Sequence, residues 1–159
     1  MYFLFRCKYS KLGDVMNRLG EVRDMDFWLP VANGAPLFED LLFVRASEEG
    51  VRQLTAMCIP GLMPVIDRAS ERRYVQFSDQ KIDMLRIILE SGDEHILTDQ
   101  TKAPTFLKGK LVEVTDGPFA GVVGNLLRYK SQHRVFVEIP GLGIYGTAYV
   151  PKFQLREVV

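Results

Sequence analysis

Over its first 92 residues the chain alternates short apolar runs with amphipathic stripes. Residues 2–7, Tyr-Phe-Leu-Phe-Arg-Cys, are rich in aromatics and read as a buried strand. Ser10 stands where a helix N-cap is expected. Leu12, Val15, Met16, Leu19 and Val22 follow at spacings of three and four, which predicts an amphipathic helix laid on a sheet. Residues 27–31 predict a second strand. Asn33-Gly34 predicts a two-residue hairpin turn, because both residues tolerate positive φ, and 37–45 predict the return strand, with Pro36 at its start. Ser47 with Glu48 and Glu49 opens a second helix whose apolar face is Val51, Leu54 and Met57. Pro60-Gly61 marks a turn. Residues 63–67 and 73–77 predict two short strands around the polar loop 68–72. Ser78 caps a third helix with Ile82, Leu85, Ile88 and Leu89 on one face, and Gly92 stops it. The order β-α-β-β-α-β-β-α predicts an α+β domain, an antiparallel sheet flanked by helices.

After Gly92 the periodicity lapses, and residues 93–105 read as a linker. From Lys108 onward helical patterns vanish. Val112 and Val114 alternate with polar neighbours, Asp116-Gly117-Pro118 makes a turn, and 122–129, 135–139 and 144–150 read as further strands, with Gly141 and Gly143 turning the chain between the last two. Strands spaced at about ten residues predict a small all-β barrel, one that must pack tightly at about 50 residues. The expected division is a domain over 1–92, a linker over 93–105 and a barrel over 106–159.

Composition narrows the function classes. Of 159 residues, 47% are hydrophobic and 25% charged, which excludes a disordered chain. Twenty basic residues balance twenty acidic ones, and zero net charge argues against a protein that grips nucleic acid by bulk electrostatics, while leaving room for local basic patches. No apolar run approaches the roughly 20 residues of a membrane helix, and the N-terminus lacks a signal-peptide pattern, so a cytoplasmic protein is expected. Cys7 and Cys58 lie far apart and are expected as free thiols. His95 and His133 are isolated, and neither C-x-x-C nor H-x-x-x-H occurs, so no metal or cofactor is expected. Asp93-Glu94-His95 and the pair Asp79 and Asp83 are the nearest approach to acid-base groups. The first falls in the linker and Asp79 belongs to a helix start, so no enzyme is expected.

One segment carries specific information. Residues 109–124, Gly-Lys-Leu-Val-Glu-Val-Thr-Asp-Gly-Pro-Phe-Ala-Gly-Val-Val-Gly, resemble a KOW motif. Gly117-Pro118 turns the chain, Phe119 plugs the end of the barrel, and Gly121 and Gly124 allow bends without a side-chain clash. KOW segments belong to transcription and translation proteins. The N-terminal half resembles the N-terminal domain of the NusG family in Tyr2-Phe3-Leu4-Phe5 with Lys8, Phe27-Trp28-Leu29-Pro30, Pro36-Leu37-Phe38 leading to Leu42-Phe43-Val44, Ile59-Pro60-Gly61, and the helix start Ser78-Asp79-Gln80-Lys81-Ile82. Together the two resemblances cover nearly the whole chain. Three departures point to a specialised paralogue of the RfaH/UpxY kind rather than the housekeeping factor. Glu39-Asp40-Leu41 replaces the usual Pro-Gly-aromatic after Phe38, the insert between the second and third strands is cut to Ala32-Asn33-Gly34-Ala35, and the barrel loop reads Ile139-Pro140-Gly141.

The resemblance implies a monomeric elongation or antitermination factor whose N-terminal domain docks on the clamp of the largest RNA polymerase subunit. Phe38, Leu41 and Phe43 take the docking role. Lys8, Lys11 and Arg18 take that of contacting the non-template DNA strand, and Arg68, Arg72 and Arg73, beside Tyr74, form a second basic cluster suited to single strands. The barrel is implied to recruit Rho or a small-subunit ribosomal protein through Val122, Ile139 and Leu142. Its glycines and β-branched residues favour a barrel over a helical hairpin. The competing readings are a housekeeping NusG-type factor that couples polymerase to Rho or the ribosome, and a KOW-containing ribosome- or RNA-binding protein. The latter needs a basic, aromatic barrel face, and residues 108–159 are only mildly basic.

Overall fold

The computed structural model describes residues 1–70, 73–105 and 107–158. It is an α+β chain of three helices and antiparallel sheets, with a separate β-rich part. The chain groups into two compact units, Met1–Asp79 and Gln80–Val159. This grouping divides the chain at the first turn of the third helix, whereas the sequence reads a linker over 93–105.

In the first unit, β1 (Tyr2–Cys7) is central. The sheet order is β2 (Asp26–Trp28), β5 (Leu41–Arg45), β1, β6 (Leu62–Pro64), and β9 (Gln76–Phe77) also pairs with β1. Four consecutive buried residues in β1 show that both faces of this strand are covered. One face carries Phe3, Phe5 and Cys7, joined by Leu42 and Val44 and packed against Val15 and Leu19 of α1 (Leu12–Leu19) and Val51 and Leu54 of α2 (Glu48–Ala56). The other face carries Tyr2, Leu4, Trp28 and Phe43, all buried.

Most local signals act as read. Asn33 and Gly34 have φ of 52° and 81° and close the small hairpin of β3 (Val31–Ala32) and β4 (Ala35–Pro36). The Ser47 hydroxyl accepts from the Gly50 N–H at 3.0 Å and caps α2. The chain leaves β7 (Ile66–Asp67) in an Asx turn, since the Asp67 carboxylate accepts from the Ala69 N–H and the Ser70 hydroxyl. β7 pairs with β8 (Arg73–Tyr74).

Three local expectations are corrected. Ser10 does not cap α1; it lies in a 3-10 turn, Tyr9–Lys11, and the N-cap residue is Lys11, without a side-chain cap. Met16 and Met57 are exposed rather than core, and Val22 lies beyond the end of α1. The return strand is shorter than 37–45. Residues 37–40 leave the ladder, and Asp40 takes φ 59° before β5 begins.

The second unit holds α3 (Asp79–Glu90) from its second residue on, and the buried residues of this helix are Ile82, Met84, Leu85 and Ile88. Its sheet has the order β13 (Gly143–Gly146), β12 (Gln132–Ile139), β11 (Val123–Tyr129), β10 (Leu111–Val114), β14 (Leu155–Glu157), antiparallel throughout. Helix α3 packs beside this sheet: the Val123 N–H lies 3.2 Å from the Met84 sulfur, and a Cβ on Gly121 would meet Ile87 at 3.2 Å. The segment expected as a linker is also part of this unit, with Ile96 and Leu97 both buried.

Candidate functional site

The face of the first sheet that holds Phe43 is an aromatic cluster. Cross-strand register sets Trp28 opposite Phe43, with ring centroids 5.7 Å apart. Phe77 lies 5.9 Å from Phe43, and Phe38 covers it at 6.0 Å. These tilted rings are at separations that suit aromatic pairs. Phe43 is fully buried within the cluster, which rules out its expected role as a docking side chain. Phe38 and Leu41 are half-buried and remain reachable.

Main-chain bonds fix the loop that presents Phe38. The Leu37 N–H donates to the Pro30 carbonyl at 2.9 Å, and the Cys7 N–H donates to the Asp40 carbonyl at 2.8 Å. The Asp40 carboxylate also accepts from the Tyr9 N–H at 3.2 Å. Beside this loop lies a cleft of about 470 Å³ lined by Tyr9, Ala35, Pro36, Glu39 and Asp40. Tyr9 is 69% exposed there. It was not singled out in the sequence, where a lone Tyr next to a lysine carries no pattern. Burial, and then the Asp40 charge, push the Cys7 thiol above its ordinary range, while Cys58 is exposed; both are free.

Lys8 and Lys11 lie side by side, and a third cation, Arg6, joins them. With Gly61 and Met63 these residues line a hollow of about 230 Å³. The approach depends on Gly61: it has φ 88°, and a Cβ there would stand 2.7 Å from the Lys11 Cβ. Met63 is 67% exposed and lies opposite Arg6 in the β1–β6 ladder. Strand alternation could have found Arg6, the one exposed residue inside β1. Arg18 is exposed on α1 but does not line the hollow. Arg68 and Arg73 are exposed on the separate β7–β8 hairpin, and Arg72 lies outside the described residues. Tyr74 is half-buried, and its ring lies nearly perpendicular to that of Phe3 with centroids 6.2 Å apart.

In the second unit the KOW-like segment forms the turn its glycines suggest. Gly117 and Gly121 have φ of 82° and 98°, and the Gly121 N–H donates to the Val114 carbonyl at 2.9 Å. Phe119 is buried and Pro118 exposed. Val122 and Ile139 are interior side chains, at 0% and 1% exposure, so neither offers the partner surface expected of it. Both read as surface only by analogy of position; in the fold they belong to the apolar interior with Val112, Val135 and Phe136. Leu142 is half-buried. Among the described residues, the exposed aromatics of this unit are instead Tyr149 and Phe153.

The Asp93 carboxylate accepts from the His95 N–H at 2.8 Å and lies 3.2 Å from its ring nitrogen, an exposed turn. Among the described residues no group of three or more His, Cys, Asp or Glu could hold a metal ion, and no helix is long and apolar enough to cross a membrane.

No protein-family model and no curated protein matches the sequence. Solved structures similar to the chain include that of domain interaction in Thermotoga maritima NusG, with TM-score 0.48 and 15% identity over 99% of this chain and 97% of that one. Two conformations of the MjSpt4:Spt5 complex are also similar. Conformation A has TM-score 0.32 and 17% identity over 99% of this chain and 98% of that one. Conformation B has 0.34 and 16% over 99% and 97%.

Proposed function

We propose that the protein is a NusG-type transcription elongation factor, in which the first unit docks on the clamp of the largest RNA polymerase subunit and promotes processive elongation. The observation that carries this reading is Phe38. It is an aromatic held half-exposed on a buried aromatic partner, on a loop tied down by main-chain bonds, beside an open cleft. Anchoring aromatics at rigid positions dominate protein interfaces. Leu41 flanks it on β5. The Arg6, Lys8 and Lys11 hollow supports a contact with the non-template strand once polymerase has placed the protein near DNA, which a chain of zero net charge needs. Antitermination by a specialised paralogue is the narrower reading, and it rests on the sequence departures around Glu39-Asp40-Leu41.

The test is a pull-down of purified RNA polymerase by the full chain and by Phe38→Ala. Retention of polymerase by the wild type and its loss with a folded Phe38→Ala chain support the reading. Equal retention by both removes Phe38 from it, and failure of the wild type to bind removes the polymerase.

A second reading has its own observation. Phe153, at 80% exposure, and Tyr149 stand out from the KOW-containing unit, and Lys152 adjoins them. Exposed aromatics beside a cation suit stacking on single-stranded RNA. Binding of a labelled RNA oligonucleotide by the full chain, abolished by Phe153→Ala, favours that class over a polymerase factor.

A further inference from the structure

Residues 95–100, between α3 and β10, do not hang free. They lie along β13, the edge strand of the second sheet. Leu97 and Gly146 exchange both main-chain hydrogen bonds, each at 2.9 Å. Three residues on, a side chain takes over from the backbone. The Gln100 amide donates to the Ile144 carbonyl at 2.8 Å, and its oxygen accepts from the Ile144 N–H at 2.9 Å. At the other end, Arg134 donates to the His95 carbonyl at 2.6 Å.

The edge is shaped for this segment. A Cβ on Gly143 would stand 2.4 Å from the Gln100 side-chain oxygen, and one on Gly146 would stand 3.2 Å from the Leu97 Cβ. Bare glycine at Gly143 lets the segment lie flush, whereas at Gly146 the tighter neighbour is the Phe136 ring, at 2.6 Å. An open edge presents unpaired N–H and C=O groups to any extended chain, and proteins commonly cover it. Here residues 95–100 supply that cover.

The cover is held by few bonds. Arg134 is 8% exposed; it donates to the His95 and Thr147 carbonyls and its guanidinium lies 5.4 Å from the centre of the Tyr129 ring, while its Nε meets no hydrogen-bond acceptor among the described residues. The strap therefore satisfies only part of a buried cation and recovers only part of its lost hydration. Gln100 is exposed, so water competes for its two bonds.

We propose that residues 95–100 are a self-docked strap that occupies the β13 edge and excludes other extended segments, and that it can be displaced from that edge. The proposal is independent of polymerase binding.

A labelled peptide of residues 93–103, added in trans to the full chain, tests it. The chain is used as wild type and as a double variant, Leu97→Pro with Gln100→Ala, which removes the Leu97 donor and the Gln100 amide while leaving Gly143 and Gly146 intact. The peptide is expected to bind the double variant at least about tenfold more tightly than the wild type, since the variant no longer fills its own edge. Hydrogen exchange gives the second measurement. In the single variant Gln100→Ala, the Ile144 amide is expected to exchange about tenfold faster, because its acceptor is gone, while the Leu126 amide inside the sheet keeps its protection and shows the fold intact. Equal peptide affinity for both chains, or no binding to either while Ile144 exchanges faster, overturns the docking edge. Unchanged Ile144 exchange in Gln100→Ala overturns the strap itself.

Discussion

A Cβ on Gly124 would stand 2.2 Å from the main-chain oxygen of Phe136 on the neighbouring strand. This is backbone against backbone, so no side-chain rotation can relieve it. The last glycine of the KOW-like segment is therefore a packing requirement, set beside the Asn125–Phe136 pair of β11 and β12. Gly124→Ala is expected to force the strands apart and cost about 1–3 kcal/mol or more, as overpacked interiors do. Urea unfolding followed by far-ultraviolet circular dichroism measures the loss. A midpoint equal to that of the wild type would contradict the geometry.

Phe38 and Phe43 separate docking from folding. Phe43 is fully buried among Trp28, Phe38 and Phe77, so Phe43→Ala is expected to cost about 3–5 kcal/mol of stability. Phe38→Ala loses one ring contact and part of its burial, and is expected to cost about 1–2 kcal/mol in folding. Its larger effect should fall on polymerase affinity, with a loss of about tenfold or more. Thermal melts beside a clamp-binding titration distinguish the two. If Phe43→Ala melts like the wild type, the aromatic cluster is not the interior described.

Alternation and capping made most of the first unit legible, because those signals are local. Tyr2-Phe3-Leu4-Phe5 reads as a strand buried on both faces, and Ser47 reads as a cap, each from its own neighbours. What the sequence could not show was pairing at a distance. Arg6, Lys8 and Lys11 are near one another along the chain, but the hollow they line is closed by Gly61 and Met63, which only the pairing of β1 with β6 brings alongside. Phe43 looked like an anchor because its sequence neighbours matched a docking motif, and only the cross-strand register with Trp28 shows it to be enclosed. Residues 93–105 looked like a linker because they are polar and aperiodic. Two isolated apolar residues, Ile96 and Leu97, and one glutamine suffice to attach them to an edge strand, and no periodicity announces that.

The hollow formed by Arg6, Lys8 and Lys11 should act through charge. Replacing Lys8 and Lys11 with glutamate is expected to reduce crosslinking to the non-template strand in a stalled elongation complex, and the wild-type contact should weaken as salt rises. Arg68→Glu, on the separate hairpin, should leave that crosslink unchanged. Stability should change by less than about 0.5 kcal/mol in each case, since these side chains are exposed. Equal crosslinking by the wild type and the Lys8→Glu, Lys11→Glu chain would remove the hollow from the DNA path.

Tyr145 sets a stability limit at high pH. Its ring is 1% exposed, its hydroxyl donates to the Leu142 carbonyl at 2.8 Å, and burial pushes its pKa up to about 12. In the unfolded chain the phenol titrates near 10. Below about pH 9 both states hold the proton, and this group adds no pH dependence. Between about 10 and 12 the unfolded chain has lost a proton that the folded chain keeps, so stability falls with rising pH. The slope is about 1.4 kcal/mol per unit and the full loss about 2–3 kcal/mol. Tyr145→Phe has no proton to lose. It should start about 1 kcal/mol lower, for the missing hydrogen bond, and then lack this part of the decline. Urea melts of both chains from pH 8 to pH 12 should therefore converge and then cross at about pH 11, the wild type being the less stable chain above it. Two curves that fall in parallel would mean that Tyr145 ionises no later in the folded chain than in the unfolded one.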